Sequence, residues 1–155
     1  MLTLVPKSWF SWDFRVIADG ADIALIDRHS FRERASFTLD GKEYVIRRTS
    51  MVRGTFVLEH SGQVLAEASK PSSFRRLFEL SVGSASYTLK AVSSLRREFG
   101  LFSGSASIAR IRPVSAFGRK AIAEFRAGIP REVQLFAVFL VLILWKRVAD
   151  AAAAT

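Results

Sequence analysis

The chain has 155 residues, half of them hydrophobic and thirteen of them Phe, with a formal net charge of +9. That length and composition fit one domain with a sizeable core and exclude a disordered chain. With no cysteine, disulfides, thiolate metal sites and cysteine nucleophiles are excluded, while the positive charge favours acidic partners such as nucleic acid or anionic lipid headgroups.

Met1 to Val5 is apolar, but Pro6, Lys7 and Asp13 interrupt the run at once. No signal peptide is therefore expected, and a reducing, cytoplasmic location is the default. Residues 10 to 112 show mostly period-two alternation, the mark of strands with one buried face. Phe10, Trp12, Phe14 and Val16 alternate with Ser11, Asp13 and Arg15. Asp19-Gly20 punctuates the pattern before a second strand around Ile23 to Ile26. Phe37-Thr38-Leu39 and Tyr44-Val45-Ile46 then flank Asp40-Gly41, a strong hairpin signal because both turn positions need positive φ.

Beneath this alternation lies an internal repeat. Phe37, Phe56, Phe78 and Phe99 each open a Phe-x-Leu pair, completed by Leu39, Leu58, Leu80 and Leu101. A glycine follows each pair, at Gly41, Gly62, Gly83 and Gly104, and the steps between the Phe residues are 19, 22 and 21. Each unit predicts a strand, a glycine turn and a returning strand, so the whole is a meander of hairpins. Strands are expected over about 9–127.

Eleven uncharged apolar residues, Leu135 to Trp145, follow and are closed by Lys146 and Arg147. Apolar on every side, the run cannot be a surface helix with one wet face. It rises only about 16 Å, against roughly 30 Å for a bilayer core, so burial inside the fold is the expectation and a short membrane tail the alternative. Pro130 suits a first helical position; Glu132 in the first turn and Lys146 with Arg147 in the last match the helix dipole. The helix is expected over about 130–148, with a flexible tail over 149–155. The predicted fold is mainly β: a single domain over 1–155, an antiparallel up-and-down barrel of roughly 10–12 strands closed around a hydrophobic C-terminal α-helix.

The order of Phe-x-Leu/glycine hairpins, then Ile129-Pro130-Arg131-Glu132-Val133-Gln134-Leu135-Phe136, then an apolar helix ending Trp145-Lys146-Arg147, resembles the tubby-like superfamily. That group includes the tubby C-terminal domain, the LURP-one-related proteins and the phospholipid scramblases. The resemblance implies a twelve-stranded barrel around a hydrophobic C-terminal helix. It further implies contact with phosphoinositides through basic side chains or activity at membranes. The cysteine-rich segment and calcium loop of the scramblases are not present, so scramblase activity is not carried over.

No catalytic constellation is visible, and no cofactor is implied. His29 lies in an Arg-rich turn and His60 beside a glycine hairpin, and both read as solvated loop residues. Asp19, Asp22 and Asp27 lack the alternating oxygen ligands of a calcium loop and read as turn chemistry. The Gly-Ser-Ala-Ser stretches at 83–86 and 104–107 lack the nucleophile-elbow frame and read as hairpin turns.

One charge pattern rises above the background. An arginine stands three residues before each repeat Phe, at Arg34, Arg53, Arg75 and Arg96. In an up-and-down meander these positions share one barrel end, and an odd offset from an inward Phe turns the side chain outward. With Arg76 and Arg97 they predict a basic rim; Arg119 and Lys120 are basic residues elsewhere. The ordinary reading of such arginines is solubility and edge protection. Arg110-Ile111-Arg112 resembles the alternating basic residues that tubby domains use for headgroups, although basic-x-basic strands are common. The expected function is a non-enzymatic binding module that contacts anionic phospholipid headgroups, at the periphery of a membrane, or another acidic ligand through this rim. The alternatives are a nucleic-acid-binding protein and a tail-anchored protein using residues 135–145. Against the former, most aromatics fall on the alternating inner face, out of reach of bases.

Overall fold

The computed structural model describes residues 1–29, 33–50, 52–72, 75–93, 95 and 97–155, without the side chains of Arg28 and His29. Twelve strands form one closed antiparallel barrel in the order β1-β12-β11-β10-β9-β8-β7-β6-β5-β4-β3-β2. They are β1 (Leu2–Pro6), β2 (Phe14–Ala18), β3 (Ala21–His29), β4 (Arg34–Leu39), β5 (Lys42–Ser50) and β6 (Thr55–His60), continuing as β7 (Gln63–Ser69), β8 (Leu77–Val82), β9 (Ala85–Ala91), β10 (Phe99–Ser103), β11 (Ala106–Pro113) and β12 (Ala121–Phe125). One helix, α1 (Arg131–Ala153), follows them.

The repeat is the unit of construction. Each Phe-x-Leu pair lies on an even-numbered strand and points inward: Phe37, Phe56, Phe78, Phe99, Leu39, Leu58, Leu80 and Leu101 are all buried. The glycine behind each pair makes the return, because Gly41, Gly62, Gly83 and Gly104 all have positive φ. At Asp40-Gly41 both residues do, with φ of 51° and 74°, as a type I′ turn demands.

The closure comes from an element the alternation pattern did not single out. Leu2–Pro6 pairs with β12 on one side, Leu2 opposite Ala123, and with β2 on the other, Leu4 opposite Val16. Strands therefore begin at Leu2 rather than near residue 9. Conversely, Phe10 and Trp12 are not part of the strand that the alternation predicts. β2 starts only at Phe14, and Phe10 is exposed. The 7–13 segment folds on itself instead: Lys7 donates its backbone N–H to Asp13 O at 2.9 Å, and the Asp13 N–H goes to Ser11 Oγ at 2.9 Å.

Helix α1 fills the barrel. Val133 through Trp145 are buried on all sides of the helix, and Leu135 through Trp145 belong to the same apolar cluster as the inward strand residues. Phe139 meets Phe56 edge-on at 6.1 Å, and Phe56 meets Phe78 likewise at 5.9 Å. Such T-shaped pairs stabilise beyond their buried area. Gln134, the polar residue in the run, is satisfied locally: it donates Nε2 to Ile129 O at 2.8 Å and accepts from Arg131 at 3.0 Å. The run that could have been a membrane tail is thus the core, and among the described residues no helix is long and apolar enough to cross a membrane.

The helix does not end where its charges suggested. Pro130 sits at the N-cap, just before the first turn, and α1 continues past Lys146 and Arg147 to Ala153, so the expected flexible tail is mostly helical. Alanine has the highest helix propensity, and the run Ala151–Ala153 needs no partner to continue the spiral. Lys146 and Arg147 therefore stand at the barrel mouth with two helical turns beyond them, rather than in a terminal turn.

Candidate functional site

The two ends of the barrel differ in kind. At one end β2–β3, β4–β5, β6–β7, β8–β9 and β10–β11 are joined by two residues each, and none of these five connections carries a basic residue. At the other end, where α1 leaves the barrel, the connections span 7–13, 30–33, 51–54, 70–76, 92–98 and 114–120, and each contains at least one Lys or Arg. Antiparallel alternation sets which connections share an end, because every even-numbered strand starts at the helix-exit end; the 126–130 connection into α1, with Arg126, lies at the hairpin end. Long loops on a rigid barrel are where binding residues are usually carried.

The predicted rim residues fall at this end, but not as one equivalent set. Arg34 opens β4 and is exposed. Arg53, Arg75 and Arg76 are exposed in connections that precede β6 and β8, not on the strands, so loop placement and not strand alternation turns them outward. Arg96 lies outside the described residues. Arg97 is turned inward. Its guanidinium lies over the Trp145 ring at 4.9 Å and donates to Gly118 O at 3.2 Å. Burial pushes it down from its ordinary pKa. Arg119 and Lys120, expected away from the rim, occupy the 114–120 connection at the same end. Arg119 lies over Trp12 at 5.4 Å and donates to the carbonyls of Ser8 and Ser11.

Beside the arginines stands a set of residues that alternation had assigned to the core or passed over. Trp9 is 84% exposed, Phe10 88%, Val52 88%, Leu95 95% and Phe117 100%. All five belong to helix-exit connections, and Val92 and Val114 add half-exposed side chains there. Exposed apolar side chains gathered in one region mark an interaction surface more than scattered ones do.

A charged node pins the helix at the same end. Glu33, in the connection before β4, accepts Arg147 Nε at 3.0 Å and Nη2 at 2.9 Å, a two-pronged bond, and Arg48 Nη1 at 2.8 Å. Lys70 stands nearby. Burial pushes its ammonium below the ordinary lysine value, Arg147 and Arg48 push the same way, and Glu33 opposes them. By contrast, Arg97 and Arg119 have no carboxylate in ion-pairing distance among the described residues. Their hydrogen bonds go to backbone carbonyls, which hold the side chains still without cancelling their charge.

Between the helix extension and three of the long connections runs an open groove of about 730 Å³. Trp145, Val148, Ala149 and Ala152 line it from α1, Trp9 and Trp12 from 7–13, and Phe117 from 114–120, with Arg97, Arg119 and Lys120 at its sides. His60, on the barrel wall, is a partly buried strand residue whose Nδ1 lies 2.8 Å from Glu43 O. Asp22 is paired with Arg15 at 2.7 Å, and among the described residues no cluster of His, Asp or Glu could hold a metal ion. Compared with known proteins, the chain matches no family model, no curated protein and no solved structure.

Proposed function

We propose that this chain is a non-enzymatic binding module of tubby-like fold whose helix-exit end docks on anionic lipid headgroups, placing the protein in the cytoplasm at the periphery of a membrane. The observation that carries the reading is the coincidence, on one barrel end, of exposed apolar side chains (Trp9, Phe10, Val52, Leu95, Phe117) with the exposed cations Arg53, Arg75 and Arg76. A lipid interface rewards both at once. Cations gain from the surface potential, roughly 1 kcal/mol each near the membrane, and aromatic and aliphatic tips gain by entering the headgroup boundary. The tubby-like part of the reading draws on the closed antiparallel barrel around an apolar helix, the architecture that the sequence resemblance implies.

Nucleic acid would use the charge and the rings of Trp9, Phe10 and Phe117, but not the aliphatic tips. Stacking needs π-faces, and Val52 and Leu95 have none; a duplex offers aliphatic tips little to bury against. The test is vesicle co-sedimentation with neutral and phosphatidylserine-containing vesicles at low and high salt, alongside a single-stranded oligonucleotide. Wild type is expected to bind only the anionic vesicles, and to release as the Debye length falls from about 10 Å at 0.1 M salt to about 3 Å at 1 M. Replacing Arg53, Arg75 and Arg76 together by Gln should weaken binding by roughly a hundredfold, the equivalent of about 3 kcal/mol. Phe10→Ser with Leu95→Ser should weaken it as well while leaving the charge untouched. Oligonucleotide binding that survives the Phe10/Leu95 change, with no vesicle binding, would replace the lipid by nucleic acid.

A further inference from the structure

The part of α1 that projects beyond the barrel repeats the helix-face problem in miniature. Trp145, Val148, Ala149 and Ala152 recur at i, i+3, i+4 and i+7 and form one apolar stripe. Lys146, Arg147 and Asp150 take other faces of the same turns, Arg147 bonded to Glu33 and Lys146 to Asp150. Trp145, at the root of the stripe, is buried with Arg97 over its ring, while Val148, Ala149 and Ala152 are exposed. What faces the stripe is the groove wall formed by Trp9, Trp12 and Phe117.

The groove is apolar along its length and cationic at its sides. Arg97 and Arg119 are each held by backbone carbonyls and by a tryptophan face, and Lys120 is exposed beside them. None of the three has a carboxylate partner within ion-pairing distance among the described residues. A volume of about 730 Å³ lies in the range of small-molecule sites, roughly 300–1,000 Å³. An occupant that satisfies both features has an apolar chain to lie on the stripe and one anionic head to meet the cations. A peptide helix would leave the cations unmet unless acidic, and a free phosphate would leave the tryptophans wet.

We propose that this groove binds a single-chain anionic amphiphile, a long-chain fatty carboxylate, with its chain along Trp145, Val148, Ala149 and Ala152 and its carboxylate at Arg97, Arg119 and Lys120. The groove shares Trp9 and Phe117 with the exposed tips that meet the membrane surface, but not Phe10, Val52 or Leu95, and it does not need the protein to be membrane-bound. Both arginines donate N–H groups in a planar fork suited to a carboxylate.

The chain provides its own reporter, because its only tryptophans are Trp9, Trp12 and Trp145, and all three line the groove. The experiment titrates the full chain with dibrominated stearate, below its micelle concentration and without vesicles, and follows tryptophan quenching. Saturable quenching with one equivalent bound, competed by unbrominated oleate, is the expected result. The methyl ester of the brominated acid should bind at least tenfold more weakly. Ala149→Asp, on the exposed projection and away from the barrel core, should abolish saturable quenching while leaving the thermal unfolding midpoint unchanged; Lys120→Gln should weaken it. The Phe10→Ser/Leu95→Ser chain should still be quenched, even where it no longer co-sediments with vesicles, which separates failure of this site from failure of membrane docking. Absence of saturable quenching in wild type, or equal quenching of wild type and Ala149→Asp by acid and ester alike, would overturn the proposal.

Discussion

At the scale of single residues, Glu33 carries more than any other side chain described at the helix-exit end. It answers two arginines directly, and it is the anion in a neighbourhood that also holds Lys70. Removing one partner of a half-buried ion pair leaves the other charges unmet, which costs more than the pair itself was worth. Glu33→Gln is therefore expected to lower stability by about 1–3 kcal/mol, the lower part of the buried range because these groups are partly exposed. Urea unfolding measures it, and in the Arg147→Gln background the same change should cost clearly less. Lys70 gives the opposite sign. Its folded pKa lies below the unfolded value, first through burial and then through Arg147. Between those two values the unfolded chain holds more protons, so stability rises with pH there. In Lys70→Gln that alkaline rise should be diminished, and stability near neutral pH should not fall. A steeper loss of stability in the variant than in wild type would contradict this account of Lys70.

At the scale of elements, the helix and the strands depend on each other. α1 has no wet face over Val133–Trp145, and among the described residues it is the one helix that fills the barrel. Leu140→Lys should put an unpaired charge into that interior, at a cost of several kcal/mol, comparable to the whole stability of a domain. The expected product is unfolded or aggregated, as judged by loss of a cooperative thermal transition; a variant that stays monomeric and melts cooperatively would sever the helix from the core. Much of this interdependence was legible in the residues. Phe37, Phe56, Phe78 and Phe99 signalled strands because a half-buried strand must alternate, and the apolar run signalled a filler because nothing else could dry it.

What stayed illegible has a common cause, namely partners far away in sequence. Phe10 and Trp12 alternate like a strand, yet their segment is held as a loop by Arg119, which donates to the carbonyls of Ser8 and Ser11 across more than a hundred residues. Leu2–Pro6 offers only five residues, and its strand exists because β12 returns to meet it. Arg97 was counted into the outward rim as the neighbour of Arg96, but Trp145 and the 114–120 connection draw it in. The groove draws on four separated segments, none of which carries a signature by itself.

At the scale of the whole molecule, the barrel is directional. One end has five two-residue turns without a basic side chain and the 126–130 connection with Arg126; the other bears six longer connections, most of the loop cations, the exposed apolar tips and the emerging helix. The proposed docking would bring the helix-exit end against a flat anionic surface, with the barrel axis along the surface normal. The chain has no cysteine, so a single introduced thiol can be labelled uniquely with an environment-sensitive fluorophore. Leu95→Cys places the label at the helix-exit end and Ser105→Cys at the β10–β11 hairpin. On addition of phosphatidylserine-containing vesicles, the account predicts a blue shift and intensity gain for the label at residue 95 and no change at residue 105, both lost at high salt. A label at residue 105 that enters the apolar environment, or one at residue 95 that does not, would contradict end-on docking.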